Sequence, residues 1–146
     1  DVSSWARTVT IDKGTRAGLR TGLPVVAAEG VVGRIIKVAP NSSRVLLVTD
    51  ASSAIAALVQ RTRARGVARG RGDEMALDYA LNDADIQPGD LLVTSGMGGV
   101  FPKGLPLARI ASVEQDQFGL FQRVKLVSTV DFSHLEEVMV VVGDDR

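Results

Sequence analysis

Punctuation dominates this sequence: many short runs of aliphatic and β-branched residues are separated by turns in which glycine is prominent, with no long stretch of helical periodicity. About one residue in seven is valine, aromatics are 4%, and glycine occurs 15 times. Such a chain is expected to be all-β, a sandwich or small barrels. Strands are predicted at Trp5–Ile11, Pro24–Ala28, Val31–Val38, Arg44–Thr49, Ile55–Arg61, Gly66–Gly70, Met75–Ala80, Leu91–Thr94, Leu107–Val113, Phe121–Val127 and Val138–Val142. Ala28-Glu29-Gly30-Val31 reads as a tight hairpin with Gly30 at positive φ. Gln115 to Gly119 reads as a longer one. Ser133 followed by Glu136 predicts one helical turn near 131–135.

Part of the pattern occurs twice. Leu19-x-x-Gly22-x-x-Val25-Val26 recurs as Ile86-x-x-Gly89-x-x-Leu92-Val93. Gly33-Arg34-Ile35-x-x-Val38 returns as Ala108-Arg109-Ile110-x-x-Val113, and Arg44-Val45-Leu46-Leu47-Val48 as Arg123-Val124-Lys125-Leu126-Val127. The order is kept, as a duplication with loop insertions requires. The expected architecture is two small β-barrels of related topology, residues 1–72 and 73–146, joined near Gly66 to Asp73, with the last strand free to return to the first barrel. Two small barrels bury little each and leave scant interior for a ligand, so extended surface is what such a chain offers.

Charge narrows the partners. Lys+Arg and Asp+Glu both number 17, a balance unsuited to a dedicated nucleic-acid binder. No apolar run approaches the roughly 18–20 residues that cross a bilayer. The absence of cysteine excludes disulfides, thiolate metal sites and cysteine catalysis. Opening on Asp1 without an initiator methionine or signal peptide, the chain reads as a piece of a longer one.

The residues offer three candidate chemistries. A serine protease of the two-barrel type would need a base near Ser95, in Thr94-Ser95-Gly96-Met97-Gly98-Gly99. The one histidine, His134, lies in the second half, where the chymotrypsin order does not place it, and Lys103 beside Pro102 is a poor substitute. His134 with Asp131, Glu136 and Glu137 lacks the second His or Cys of a transition-metal site, and Asp83, Asp85 and Asp90 do not form a calcium loop. No catalytic, metal or cofactor residue is therefore expected. The basic run Arg61–Arg71 reads either as a docking stripe for anionic surfaces, with Arg61, Arg63 and Arg65 on one face of an extended strand, or as a solvated hinge. Phe118-Gly119-Leu120-Phe121 at a hairpin tip and Val100-Phe101-Pro102 in the glycine loop are apolar where loops are normally polar. They read either as partner contacts or as caps folded back on a small barrel.

Thr10-Ile11-Asp12-Lys13-Gly14-x-x-x-Gly18-Leu19-x-x-Gly22-Leu23-Pro24-Val25-Val26 resembles the opening of the extracytoplasmic domain of the MreC family of rod-shape-determining proteins. So do Glu29-Gly30-Val31-Val32-Gly33-Arg34-Ile35 and Ser43-x-Val45-x-Leu47-x-Thr49-Asp50. Pro88-Gly89-Asp90-Leu91-Leu92-Val93-Thr94-Ser95-Gly96 and Phe101-Pro102-Lys103-Gly104-Leu105-Pro106-x-Ala108-Arg109-Ile110-x-x-Val113 are similar to its central signature. The resemblance implies a chymotrypsin-like barrel pair without catalysis and without cofactors. It also implies a location at the periplasmic face of the inner membrane, anchored by an N-terminal helix outside this sequence. The role it implies is a non-enzymatic scaffold of cell-wall elongation. The implied partners are a class B penicillin-binding transpeptidase, RodA, MreD and, across the membrane, MreB, together with self-association. Alternatives are a hydrolase with an atypical site and a module binding glycan or anionic lipid. Val100, Phe101, Phe118, Leu120 and Phe121 are the expected partner-binding residues, while Thr94, Ser95 and Gly96 are read as structural.

Overall fold

A computed structural model describes residues 6–143, and the start of the strand expected from Trp5 lies outside them. Within them the chain forms eleven strands: β1 (Thr8–Ile11), β2 (Pro24–Ala27), β3 (Gly30–Val38), β4 (Ser43–Leu47), β5 (Ala54–Val59), β6 (Arg65–Gly70), β7 (Met75–Asp78), β8 (Leu91–Thr94), β9 (Pro106–Glu114), β10 (Arg123–Ser128) and β11 (Met139–Val140). Two 3-10 turns, Thr15–Ala17 and Phe132–His134, are the helical elements among the described residues. The all-β class follows from the patterning: the apolar runs are short, are separated by turn residues and carry no sustained helical period, and valine-rich runs pack well on a pleated surface.

The strands divide into a five-stranded sheet, β1-β4-β3-β2-β11, and a closed six-stranded barrel, β10-β7-β6-β5-β8-β9. The barrel begins at Ala54, so the boundary expected at residues 72/73 falls between β6 and β7, inside the barrel. The physical reason is pairing: β6 bonds β5 on one side and β7 on the other, and no ladder ties β5 or β6 to the first sheet. The last strand, β11, pairs with β2 of the first sheet.

The sequence repeat has a counterpart in the ladders. β2–β3–β4 and β8–β9–β10 are both antiparallel meanders, with a register shift at Val25/Val26 in one and at Leu92/Val93 in the other. Gly22 and Gly89 sit at φ 92° and 91°. Each donates its N–H across the turn, Gly22 to the Ile35 carbonyl at 2.7 Å and Gly89 to the Ile110 carbonyl at 2.8 Å. Ile35 and Ile110 return the bond, to the carbonyls of Leu23 and Asp90, both at 2.9 Å. A side chain at this left-handed position costs energy, which is why glycine stands in both copies.

Two cores result. Val25, Val32, Ile35 and Val45 centre the sheet's, and Ile55, Leu77, Leu92, Leu107, Ile110 and Val124 the barrel's. β3 serves both, because neighbouring side chains on a strand point to opposite faces: Val31 belongs to the barrel core and Val32 to the sheet core. Phe132, on the 3-10 turn, packs against each. That turn is capped by Asp131, whose carboxylate accepts from the Ser133 N–H at 3.1 Å, so the expected Ser133 cap is displaced by two residues.

Candidate functional site

The five expected contact residues do not form one surface. The loop 95–105 joins β8 to the start of β9, and the hairpin 115–122 leaves its end, so β9 separates them by about 27 Å at the usual rise of a strand. Phe101 is only 9% exposed and lies in the barrel core as a plug. Thr94 holds the plug in place. Its fully buried hydroxyl donates to the Pro102 carbonyl at 2.6 Å and accepts from the Leu105 N–H at 2.9 Å. Phe101 is thus a core residue and not a contact. Val100, exposed, lines with Met97 and Val142 an open groove of about 760 Å³ where the loop 95–105 meets Arg20–Pro24.

At the other end of the barrel Phe118 is 93% exposed and Leu120 66%, with Phe121 half-shielded by Tyr79, whose ring meets it edge-on at 5.5 Å and 85°. Tyr79 and Leu81, also exposed, extend the patch from the neighbouring segment 79–85. These two escape sequence reading because the segment meets the hairpin through long-range contacts, among them the bridge from Leu81 to Phe121. Tyr79 has a left-handed backbone, φ 65°, an uncommon conformation for a bulky residue and one that folds hold at functional sites.

Polar groups, meanwhile, are turned inward. Asn82 donates to the Asp116 carbonyl at 2.8 Å and accepts from the Asp116 N–H at 3.1 Å. Gln122, buried, donates to the carbonyls of Leu81 at 2.7 Å and Ala84 at 3.0 Å. The Asp116 carboxylate accepts from the Phe118 N–H at 3.1 Å and shapes the tip. Amides tie the two loops from within while rings face water, the reverse of an ordinary loop. Beside it, Arg61 forks between Asp85, at 3.0 and 3.1 Å, and Asp90, at 2.9 Å to each oxygen. Hydrogen bonding from Arg61 holds both carboxyls below the usual carboxylate range.

The basic run is not an extended stripe. Residues 60–64 form the β5–β6 turn, closed by Arg63 N–H to the Val59 carbonyl at 2.8 Å with Arg63 at φ 67°, so Arg61, Arg63 and Arg65 do not share a strand face. Arg61 is committed to Asp85 and Asp90, and Arg69 and Arg71 both reach Asp78. Ser95 Oγ accepts from the Met97 N–H at 3.3 Å. His134 Nδ1 lies 2.8 Å from Asp131 Oδ2, which helps depress that carboxyl after the larger effect of Ser133. Among the described residues no three His, Cys, Asp or Glu side chains are grouped to hold a metal.

A family model described as "Rod shape-determining protein MreC, barrel core" matches residues 1–142. The cell shape-determining protein MreC of Escherichia coli (strain K12) is 39% identical over 140 residues, covering 94% of this chain and 38% of the relative. The chain therefore spans under two fifths of that protein's length. The crystal structure of MreC from Pseudomonas aeruginosa is similar at a TM-score of 0.92 and 37% identity, covering 97% of this chain and 92% of that one. A chain from a complex between penicillin-binding protein (PBP2) and MreC from Helicobacter pylori shares the fold at a TM-score of 0.60 and 20% identity, over 71% of this chain and 65% of the other.

Proposed function

The chain belongs to the MreC family of rod shape-determining proteins, and on that premise we propose that it is a non-enzymatic scaffold module of the cell-wall elongation machinery, lying on the extracytoplasmic side of the membrane. Its partner is the class B penicillin-binding transpeptidase, whose contact surface here is the patch of Phe118, Leu120, Phe121, Tyr79 and Leu81. Self-association and the wider set of MreD, RodA and MreB belong to the same reading. One observation carries it: the inversion at this end of the barrel, where the inward-turned amides of half-buried Asn82 and buried Gln122 anchor a knob of exposed rings. Exposed aromatic anchors held on a rigid base are what interfaces use, since they lose little conformational freedom on binding. The relative found in a complex with a penicillin-binding protein supports the choice of partner.

The alternative of an anionic-lipid or glycan module loses support from the ion pairs that occupy Arg61, Arg69 and Arg71. The hydrolase alternative loses support from Ser95, whose bond is to a backbone N–H and not to a base. Calorimetric titration of this chain with the extracytoplasmic part of the cognate transpeptidase, at two salt concentrations, tests the proposal. Saturable binding that Phe118→Ser weakens at least tenfold, with an unchanged circular-dichroism spectrum, supports it. Binding untouched by Phe118→Ser and Leu120→Ser sinks the assigned surface, and absence of binding sinks the partner.

A further inference from the structure

The internal duplication exposes a difference between its two copies. The second meander, β8–β9–β10, is flanked by β5 and β7, and β6 lies between those two and closes the barrel. The first meander, β2–β3–β4, is flanked in the same way by β11 and β1, both antiparallel to their neighbours. Among the described residues no strand lies between them. Since β2 and β4 run parallel to each other, so do β11 and β1, and one inserted strand would be antiparallel to both, as β6 is to β5 and β7.

Both edges are turned to receive it. The Leu47 N–H bonds the Arg7 carbonyl, which makes Val9 and Ile11 the residues bonded to β4 and turns the N–H and C=O of Thr8 and Thr10 outward. Likewise the Val141 N–H bonds the Pro24 carbonyl, so Val138 and Val140 present their backbone groups away from β2. Between the edges runs a groove of about 860 Å³. Val9, Ile11, Phe132, Leu135 and Val138 line it, half-buried against the sheet core. Its charged lining consists of Asp12, Glu136 and Glu137, with no lysine or arginine, in a chain whose net charge is zero.

We propose that the groove between β1 and β11 is a strand-docking site for a partner polypeptide, an extended segment with apolar residues at alternate positions and a basic residue at its ends. Backbone ladders to Thr8, Thr10, Val138 and Val140 supply affinity, the alternate apolar side chains take the inward positions that β6 fills in the barrel, and the acidic rim selects basic flanks. The site lies on the other sheet from the aromatic knob, so it stands or falls independently of the transpeptidase surface.

The test uses this chain and a synthetic nine-residue peptide of alternating valine and threonine with lysine at both ends. Two comparison peptides carry glutamate ends or a central proline, which removes a ladder donor. Saturable binding is expected, with amide exchange at Thr8, Thr10, Val138 and Val140 slowed at least about tenfold. Glu136→Lys with Glu137→Lys, both exposed, should weaken binding about tenfold while leaving the circular-dichroism spectrum unchanged, and the glutamate-ended peptide should bind as poorly to the native chain. The proposal is overturned by no binding at about 1 mM peptide, by protection that falls on the 115–122 hairpin instead, or by equal binding of the proline peptide. Protection of the same four amides that rises with protein concentration alone assigns the groove to a second copy of the chain and overturns the partner.

Discussion

Gly30 shows how a single hydrogen atom can fix the junction of two sheets. A Cβ at this position would stand 2.3 Å from Thr129 Oγ1 and 2.5 Å from the Pro106 carbonyl oxygen, on a backbone at φ 148°. Gly30→Ala is therefore expected to cost on the order of 3 kcal/mol by urea denaturation, combining backbone strain with overpacking. Gly22→Ala and Gly89→Ala, where the added carbon meets open space, should cost about 1 kcal/mol each and about equally, since they occupy equivalent turns. Across the junction the Thr129 hydroxyl is buried without a partner, so Thr129→Val should be neutral or stabilising by about 1 kcal/mol. The two phenylalanines separate on the same scale: Phe101→Ala should cost about 3–5 kcal/mol as a core truncation, and Phe118→Ala less than about 0.5 kcal/mol. Nothing local in the sequence distinguishes these two rings. Both stand in glycine-containing loops, and what holds one of them in the barrel is a contact between separate segments, the hydroxyl of Thr94 bonded to the Pro102 carbonyl eight residues on.

At the scale of elements, the strands are legible because turn-forming residues separate most of the apolar runs, and each of the eleven expected runs overlaps a strand of the structure, with ends that differ by one or more residues at most of them. What local patterning misses is contact between distant segments. The spacing of Arg61, Arg63 and Arg65 mimics a strand's period of two, yet a left-handed Arg63 folds that run into a turn. Asn82 and Gln122 look like ordinary loop polars until the 79–85 segment meets the hairpin. The connection between β4 and β5, which carries the chain from sheet to barrel, depends on Asp50. Burial alone would raise its carboxyl pKa. Hydrogen bonds from the Ser52 hydroxyl at 2.6 Å, the Arg7 N–H at 2.6 Å and the Ser52 N–H at 2.8 Å outweigh that effect and hold it below the usual range. A carboxyl whose folded pKa is depressed stabilises the fold above its unfolded pKa, about 3.9, and loses that contribution as pH falls through the folded value. Asp50→Asn should thus be less stable than the native chain by about 1–2 kcal/mol at pH 7, with the gap closing in denaturation series run below about pH 3.

For the whole molecule, the contrast is between a barrel closed on itself and a sheet with two edges. Every barrel strand has a neighbour on both sides, whereas β1 and β11 have one each among the described residues. Native-state hydrogen exchange should find the slowest amides in β5–β10 and markedly faster ones in β1 and β11. The related topology that the sequence repeat suggested holds in the meanders but not in the origin of the strands that flank them. The second copy draws its flanking strands from one continuous stretch, and the first draws them from the two ends of the described chain.

That placement of β1 and β11 has a mechanical consequence. Tension applied across the two ends of the chain enters at β1 and leaves at β11, and while their ladders hold, it crosses β4, β3 and β2 sideways. The barrel, joined to the sheet through the β4–β5 and β10–β11 connections, hangs off this line as an unloaded branch. Stretched between two anchors, the chain therefore behaves as a five-strand tie bar carrying a rigid body that bears no load until the bar gives way.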